Sequence, residues 1–565
     1  MRLLWCLLEF WVFLDMYGVP EAYEVTGSAK NGISDSSEEN SSSGHSKDVS
    51  SFSSVSDTKV KKVVEYDQQK DLRTLAELIC SGAVQPEWAG EVQPECAGDI
   101  IRSNSMFNPL FKPSFNEVET KCMEVYEEKK METKKILGNF DGQISLSVDI
   151  LRCENHIDPR CCGDYLCLSA HFVDENWKLK KRVLCFCSRS VSGPSDDSLH
   201  GYEDWGIVNK IRAVTVNNGK CYKEMVEHVK RHIQEKKEFQ LNPVLPVYCC
   251  GEIFRVMVQD AFDKIEDIVR KVQQVHSFKT SEPLWSTIWL NLQEAVKSWS
   301  TGELSTKDVI GSNDVPSPEE WKKVEGVCKI IGSIDEVSEA LFYTTPLTPN
   351  VYLYHLHELH GILTKMSTDS DSFNRTIVKD MLKKFDEYLD NDMFLLLTMS
   401  AALDPRFKMR YIEFFCSEVK HKDEKTQVAL VLWAMQELFD DYVIRFPTEW
   451  ESCRPRRWKR SFRVVKDYQQ FISSNDHPAK KSDLDRYLEE PVLPWSPDFN
   501  ALSWWRTAGT AYPTLSRMAR DFLAMPMSLS TGNGVYYTVP KPADEHIVCL
   551  KPDLMNALMC TRSWV

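Results

Sequence analysis

The sequence predicts an α/β protein: an early mixed sheet, a long all-helical insertion, and a C-terminal return that completes the core. Three observations predict it. Ile144, Leu146, Val148 and Ile150 alternate with Ser145, Ser147 and Asp149, and three more strand-like runs follow at 165–173, 179–187 and 210–216. Residues 282–445 then carry apolar positions at helical spacing almost without a break. The chain finally returns to mixed sequence over 483–565, with helical pattern at 514–525 and 552–562.

Taken in order, 1–58 is a hydrophobic start followed by a tail, 59–138 is helical, and 139–280 is the first part of the core. An all-α insertion over 281–448, a basic linker over 449–482 and the core-completing 483–565 follow. The first residues, MRLLWCLLEFWVFLDM, imitate the apolar stretch of a secretory signal. Glu9 and Asp15 interrupt that run, no small-residue cleavage site follows, and it is too short to span a bilayer. The Ser-rich 27–58 holds too little apolar surface to offset its ordering entropy, and we expect it to be disordered. Leu72, Leu75, Leu78 and Ile79 keep helix spacing, as do the apolar positions of 116–137.

In the sheet region, Asp174–Trp177 (DENW) is expected to turn 165–173 back against 179–187 as a hairpin. The strand 144–150 reads as half-buried, with Ser145, Ser147 and Asp149 on a polar side. The run 210–216 ends at Asn217, and a helix with Met225, Val229 and Ile233 follows. A short run at 244–250 then leads into one long amphipathic helix, about 252–275, striped by Phe254, Val258, Phe262, Ile265, Val269 and Val272. Ser317 ahead of Glu319 and Glu320 is an N-terminal cap signal.

Length alone, 565 residues, implies several folding units. A formal net charge of −15 argues against a surface that grips nucleic acid everywhere, and leaves room for a local basic patch. The 18 Cys form no CxxC pair, so reduced thiols in a nuclear or cytosolic compartment are expected. Adjacent Cys161-Cys162 and Cys249-Cys250 read as core cysteines rather than metal ligands. The densest basic cluster is Arg454, Arg456, Arg457, Lys459 and Arg460 around Trp458, suited to phosphate contact or nuclear import, with a solvated linker as the plain alternative. His355, His357 and His360 do not share one helix face, which disfavours a metal site.

Ordered stretches along about 60–565 resemble the hAT superfamily of transposases, within it the plant BED-finger "sleeper" group. They are SMFNPLFKPS, CMEVYEEKK, GQISLSVD and DYLCLSAHFVDENWKLKKRVLCFC; then VQDAF, EEWKKVEGVCKI, KKFDEYL and AALDPRFKM; then LDRYLEEPVLPWSPDFNALSWWR, YPTLSRMARDFLAMP and LKPDLMNALMCTRSW. The resemblance implies an RNase H-like core, a large all-α insertion and a C-terminal hAT dimerisation region over 483–565. It also implies two Asp and one Glu holding divalent metal. Here the first Asp falls on Asp149, the second on Asn217, and the Glu on Asn533 when the C-terminal stretches are aligned without a gap. The family's Cys-x-x-His falls near Cys249–Glu252, where the His is absent, and its Arg-Trp-Asn-Ser-Thr survives only as Leu284–Thr287. Paired Cys and His for a BED zinc finger do not precede residue 130.

An amide oxygen brings no charge to a cation that carboxylates hold by charge. The expectation is therefore a domesticated or decayed hAT transposase-like protein: nuclear, DNA-binding, a homodimer or higher homo-oligomer, off the membrane, without catalysis and with its Mg²⁺ site lost. Rescue of that site by Glu252 or Asp260 is disfavoured, since both read as solvated helix positions. Leu484, Tyr487, Leu488, Trp504, Trp505, Leu515 and Met518 are the candidate dimer surface, or else internal core. The rival readings are an active metal-dependent transposase whose ligands lie elsewhere, and a dimerising protein-interaction module that leaves DNA alone.

Overall fold

The computed structural model describes residues 68–83, 107, 111, 113–153, 163–188, 202–217, 220–236, 244–276, 285–303, 315–342, 348–389, 391–419, 424–446, 481–529, 541–542 and 550–564. The hydrophobic start, the Ser-rich tail, Cys161-Cys162, the basic cluster 454–460 and Asn533 lie outside the described residues.

Two helices precede the sheet, α1 (Gln68–Cys80) and α2 (Phe115–Asn139). α1 buries Leu72, Leu75, Ala76 and Ile79, a stripe that packs on Val118, Cys122 and Val125 of α2. Each fully buried Leu or Ile contributes roughly 1.5–3 kcal/mol. α2 starts with a capping box, in which the Ser114 hydroxyl accepts from Glu117 N–H and the Glu117 carboxylate accepts from Ser114 N–H. Its C-terminus is closed by Lys210, whose ammonium donates to the carbonyls of Leu137 (2.8 Å), Gly138 (2.6 Å) and Phe140 (2.6 Å).

The strands are β1 (Ile144–Cys153), β2 (Gly163–Val173), β3 (Leu179–Ser188), β4 (Ile211–Val216) and β5 (Leu245–Tyr248), in the order β3-β2-β1-β4-β5. β1–β2 and β2–β3 are antiparallel, whereas β1–β4 and β4–β5 are parallel. This is the RNase H-like sheet, and residues 174–178 make the expected hairpin turn with Trp177 at φ 60°. Edge strand β3 carries Lys180, Lys181 and Arg182, charges that discourage a stray strand from pairing there.

β1 departs from expectation. It is not half-buried: Ser145 and Ser147 are buried along with Ile144, Leu146 and Val148. The reason lies far along the chain. Helix α15 (Pro513–Phe522) and residues 523–529 lie over the serine face, where Asp521 accepts from Gln143 N–H (2.9 Å) and Pro526 O accepts from the Thr215 hydroxyl (2.8 Å). Ser147 Oγ and His171 Nε2 sit 2.8 Å apart and pair on the covered face, whereas the buried Ser145 hydroxyl on the same face has no hydrogen-bond partner.

α3 (Lys220–Lys236) turns Val226, Val229 and Ile233 inward. The long helix expected at 252–275 is two helices, α4 (Cys250–Asp263) and α5 (Glu266–Val275). The backbone leaves the helix at Ile265 (φ −123°, ψ 16°), and a three-residue turn from Ile265 N–H to Phe262 O redirects the chain so that Ile265 is buried.

The insertion is helical throughout its described residues: α6 (Trp285–Ser300), α7 (Pro318–Phe342), α8 (Tyr352–Met366), α9 (Ser372–Tyr388), α10 (Asn391–Ala402), α11 (Lys408–Glu418) and α12 (Glu424–Arg445). Ser317 and Glu320 form the expected cap of α7, with bonds of 2.7 and 3.2 Å. α13 (Asp483–Glu489), α14 (Ala501–Ala508) and α15 share this insertion core, whereas α16 (Pro552–Arg562) packs with α1, α2 and the sheet. The two cores therefore divide the region 483–565, and the helices of 59–138 belong to the sheet core. No described helix is long and apolar enough to cross a membrane.

Candidate functional site

β1 and β4 run parallel, and Ser147 is paired with Thr215. Asn217 directly follows the last residue of β4, and Asp149 lies in β1 two residues beyond the last β1–β4 pair, within the stretch where β1 still pairs with β2. β4 stops pairing with β1 after Ser147, and a short strand β6 (Lys541–Pro542) takes up the same edge at Leu151 and Arg152. Asp149 thus sits where two segments distant in sequence part around β1, as ligands at an α/β switch point do. Asp149 and Asn217 are both partly exposed.

The C-terminal segment reaches this place along a defined path. Met527 O accepts from Cys250 N–H (2.8 Å), and Leu529 N–H points at Cys249 Sγ (3.3 Å). Cys249 N–H in turn donates to Val216 O (2.8 Å), beside Asn217. Cys249 and Cys250 are buried, Cys250 with its thiol pushed up by burial, and they serve as packing at the start of α4. Asn533 follows four residues beyond Leu529, outside the described residues.

Other acids named from the sequence are engaged elsewhere. Glu252 is held by Arg255 through two bonds, 2.6 and 3.0 Å, and Asp260 pairs with Lys384 at 2.8 Å. Both read from sequence as solvated positions, and both are partnered ones. Among the described residues no three His, Cys, Asp or Glu side chains gather as a metal-holding group. His355, His357 and His360 diverge: His357 Nδ1 lies 3.0 Å from the Tyr411 hydroxyl, His360 packs on Phe385, and burial pushes His355 down to about 4. Trp285, from the remnant 284–287 motif, is buried in the insertion core.

The candidate dimer residues need correction. Leu484, Tyr487, Trp505, Leu515 and Met518 are fully buried within the chain, and only Leu488 and Trp504 are partly exposed. They clamp the C-terminal region onto the insertion. Trp505 Nε1 donates to Leu403 O (2.9 Å) and the Tyr487 hydroxyl to Ala402 O (3.1 Å). Burial at this depth requires such partners for an indole N–H and a phenol.

Two polar groups that sequence reading missed secure the same clamp. Asp404 and Arg406 form a buried ion pair (2.8 Å) that Asn350 joins by donating to Asp404 (2.6 Å). Lys408, at φ 48°, donates to Tyr487 O and to Glu490 O, closing the end of α13. Three charges within the apolar run AALDPRFK were the available signal, since charges in such a run need partners when buried. The second group is Asp521, which accepts from the Tyr442 hydroxyl (2.6 Å) as well as from Gln143. Burial pushes its carboxyl up to about 6, against the lowering pull of those bonds and of Arg520 and Arg212.

Comparison with known proteins agrees with this fold. The profile of the hAT family C-terminal dimerisation region matches residues 483–565. The profile described as hAT-like transposase, RNase-H fold matches 350–442, and that of the ZBED1 RNase-like domain matches 162–244. The Zinc finger BED domain-containing protein RICESLEEPER 1 of Oryza sativa subsp. japonica is 26% identical over 518 residues, covering 80% of this chain and 70% of its own. The Zinc finger BED domain-containing protein DAYSLEEPER of Arabidopsis thaliana is 27% identical over 488 residues, covering 80% and 68%. A Putative AC transposase of Zea mays is 22% identical over 493 residues, covering 78% and 59%.

Proposed function

We propose that this chain, a hAT transposase-like protein, binds DNA in the nucleus as a self-associating scaffold and does not cut it. The observation that carries the reading is Asn217 at the end of β4, the strand that runs parallel beside the β1 strand holding Asp149. A nuclease of this fold class clamps divalent metal between carboxylates, which supply charge together with oxygen. Here the second of the two positions is an amide, Asn217. The alternative acids Glu252 and Asp260 are paired with Arg255 and Lys384. Such a donor set does not fit a two-metal clamp, and no catalytic step is assigned to it.

Self-association draws on the match to a dimerisation region. DNA binding and nuclear residence draw on the transposase and BED-domain names of the relatives. Contact would be made by Lys and Arg with phosphates, the cluster Arg454, Arg456, Arg457, Lys459 and Arg460 being the densest candidate, and two copies would add their contacts. Binding of that kind is steeply salt-dependent and weakly sequence-selective.

The test is a duplex titration of the full chain across salt, with cleavage followed in Mg²⁺ and Mn²⁺. Affinity that falls with salt and intact DNA is the expected result. Metal-dependent cleavage by the unaltered chain would overturn the non-catalytic part. A second reading, a self-associating protein-interaction module, has the net charge of −15 in its favour, and absence of duplex binding even at low salt would select it.

A further inference from the structure

We propose that the loop 490–499 is the self-association surface, covered by a second copy of this chain through Val492, Leu493 and Trp495. This rests on the self-association reading and says which face performs it. Within the described part of the matched region 483–565, the exposed large apolar side chains are Val492 (41%), Leu493 (36%) and Trp495 (53%). They cluster on one loop, whereas Tyr487 and Trp505 among the candidate interface aromatics are core. Isolated exposed apolar residues need no explanation, but a cluster of this kind does.

The loop is also fixed. Leu493 N–H donates to Pro405 O (2.9 Å), and Arg406 donates to Ser496 O (2.8 Å). The Arg406 guanidinium lies 4.7 Å from the Trp495 ring and 4.5 Å from Phe499, and Tyr354 also packs on Trp495, with ring centroids 4.9 Å apart. An exposed indole already held in place loses little freedom on binding, which is the property of an interface anchor.

A chain of ring contacts, running through the buried Phe407, underlies the loop. Phe407 links Trp495 to Tyr411 (centroids 5.9 and 4.8 Å), and Tyr411 meets Phe414, itself 53% exposed. Around it stand both signs of charge, Arg410 paired with Glu413 and the exposed Glu489 and Glu490, so the patch is not a field for a polyanion. A two-fold contact needs a patch that can meet its own copy, and a mixed-charge rim around apolar side chains meets that condition.

The experiment is sedimentation of the full chain with three variants, each checked for fold by circular dichroism. Val492→Glu and Trp495→Ser alter the patch, and Trp433→Glu alters an exposed Trp of α12 outside the matched region. The expected result is an unaltered chain that self-associates, at least ~30-fold weaker association in both patch variants, and no change in Trp433→Glu. Should Trp495→Ser fail to fold, Val492→Glu decides, since its side chain is exposed. Folded patch variants that associate as the unaltered chain does, or weakening by Trp433→Glu alone, would overturn this surface while leaving self-association standing. A monomeric unaltered chain would remove the self-association reading itself, and this surface with it.

Discussion

The Tyr442 hydroxyl donates a 2.6 Å hydrogen bond to Asp521, and through it the last helix of the insertion is tied to the helix that covers the sheet. The same carboxylate accepts from Gln143 N–H, just ahead of β1. Three segments far apart in the chain, at Gln143, Tyr442 and Asp521, therefore meet on one buried acid.

That acid makes stability depend on pH. Asp521 is raised from 3.8 to about 6, so the folded state holds its proton more tightly than the unfolded state. Its contribution is fully present below about pH 4 and is lost as pH rises through 6, an effect of about 3 kcal/mol. Asp521→Asn keeps an acceptor for Gln143 and removes the titration. Urea unfolding at pH 4 and pH 7 should show the variant gaining on the unaltered chain by up to ~3 kcal/mol at the higher pH. An equal difference at both pH values would show that Asp521 does not titrate in this range.

Some of this architecture is legible in the residues and some is not. The alternation from Ile144 to Ile150 marks a strand whichever way it faces, but that both faces are covered depends on Asp521 and Pro526, hundreds of residues on. The break at Ile265 is hidden because no Pro or Gly marks it and the apolar stripe continues across it. Tyr487 and Trp505 illustrate a different limit: large aromatics suit an interface and a core equally, and only three-dimensional partners decide between them. Asp149 and Asn217 are connected through family resemblance, since the parallel register of β1 with β4, as in Ser147 with Thr215, leaves no local trace in the sequence. Asp521, inside an amphipathic helix, carries no sign that its side chain turns inward.

Lys210 offers a test of how the sheet is attached to α2. Its three carbonyl partners are orphaned by the end of the helix, and the ammonium also meets the negative end of the dipole. Lys210→Met keeps the aliphatic stem and removes the donor. Thermal and urea unfolding should register a loss of about 2 kcal/mol, and amide exchange should rise first at residues 134–140.

Restoring a carboxylate at Asn217 tests the missing charge directly. Asn217→Asp should tighten Mn²⁺ binding by at least ~10-fold, because a second negative charge is placed beside Asp149. Calorimetric titration measures it. DNA cleavage should stay at background in this single variant and rise only when Asn533→Glu is added. A single variant with full cleavage would mean that a third acid is already in place.

The buried Asp404–Arg406 pair should be the most sensitive point of the clamp between insertion and C-terminal region. The Arg406 side chain is 3% exposed and that of Asp404 is fully buried, so Arg406→Ala strands a carboxylate with Asn350 as its remaining side-chain donor. Loss of one partner of such a pair costs about 3–5 kcal/mol. The same change removes the guanidinium between Trp495 and Phe499 and the bond to Ser496 O, so the loop 490–499 loses its support. Limited proteolysis should then cut the variant within that loop before any other described segment. Arg406→Lys should recover part of the ion pair but not the stacking, leaving stability intermediate and the loop still open to protease. If the lysine variant protects the loop as well as arginine does, the hydrogen bonds and not the ring contacts hold Trp495 in place.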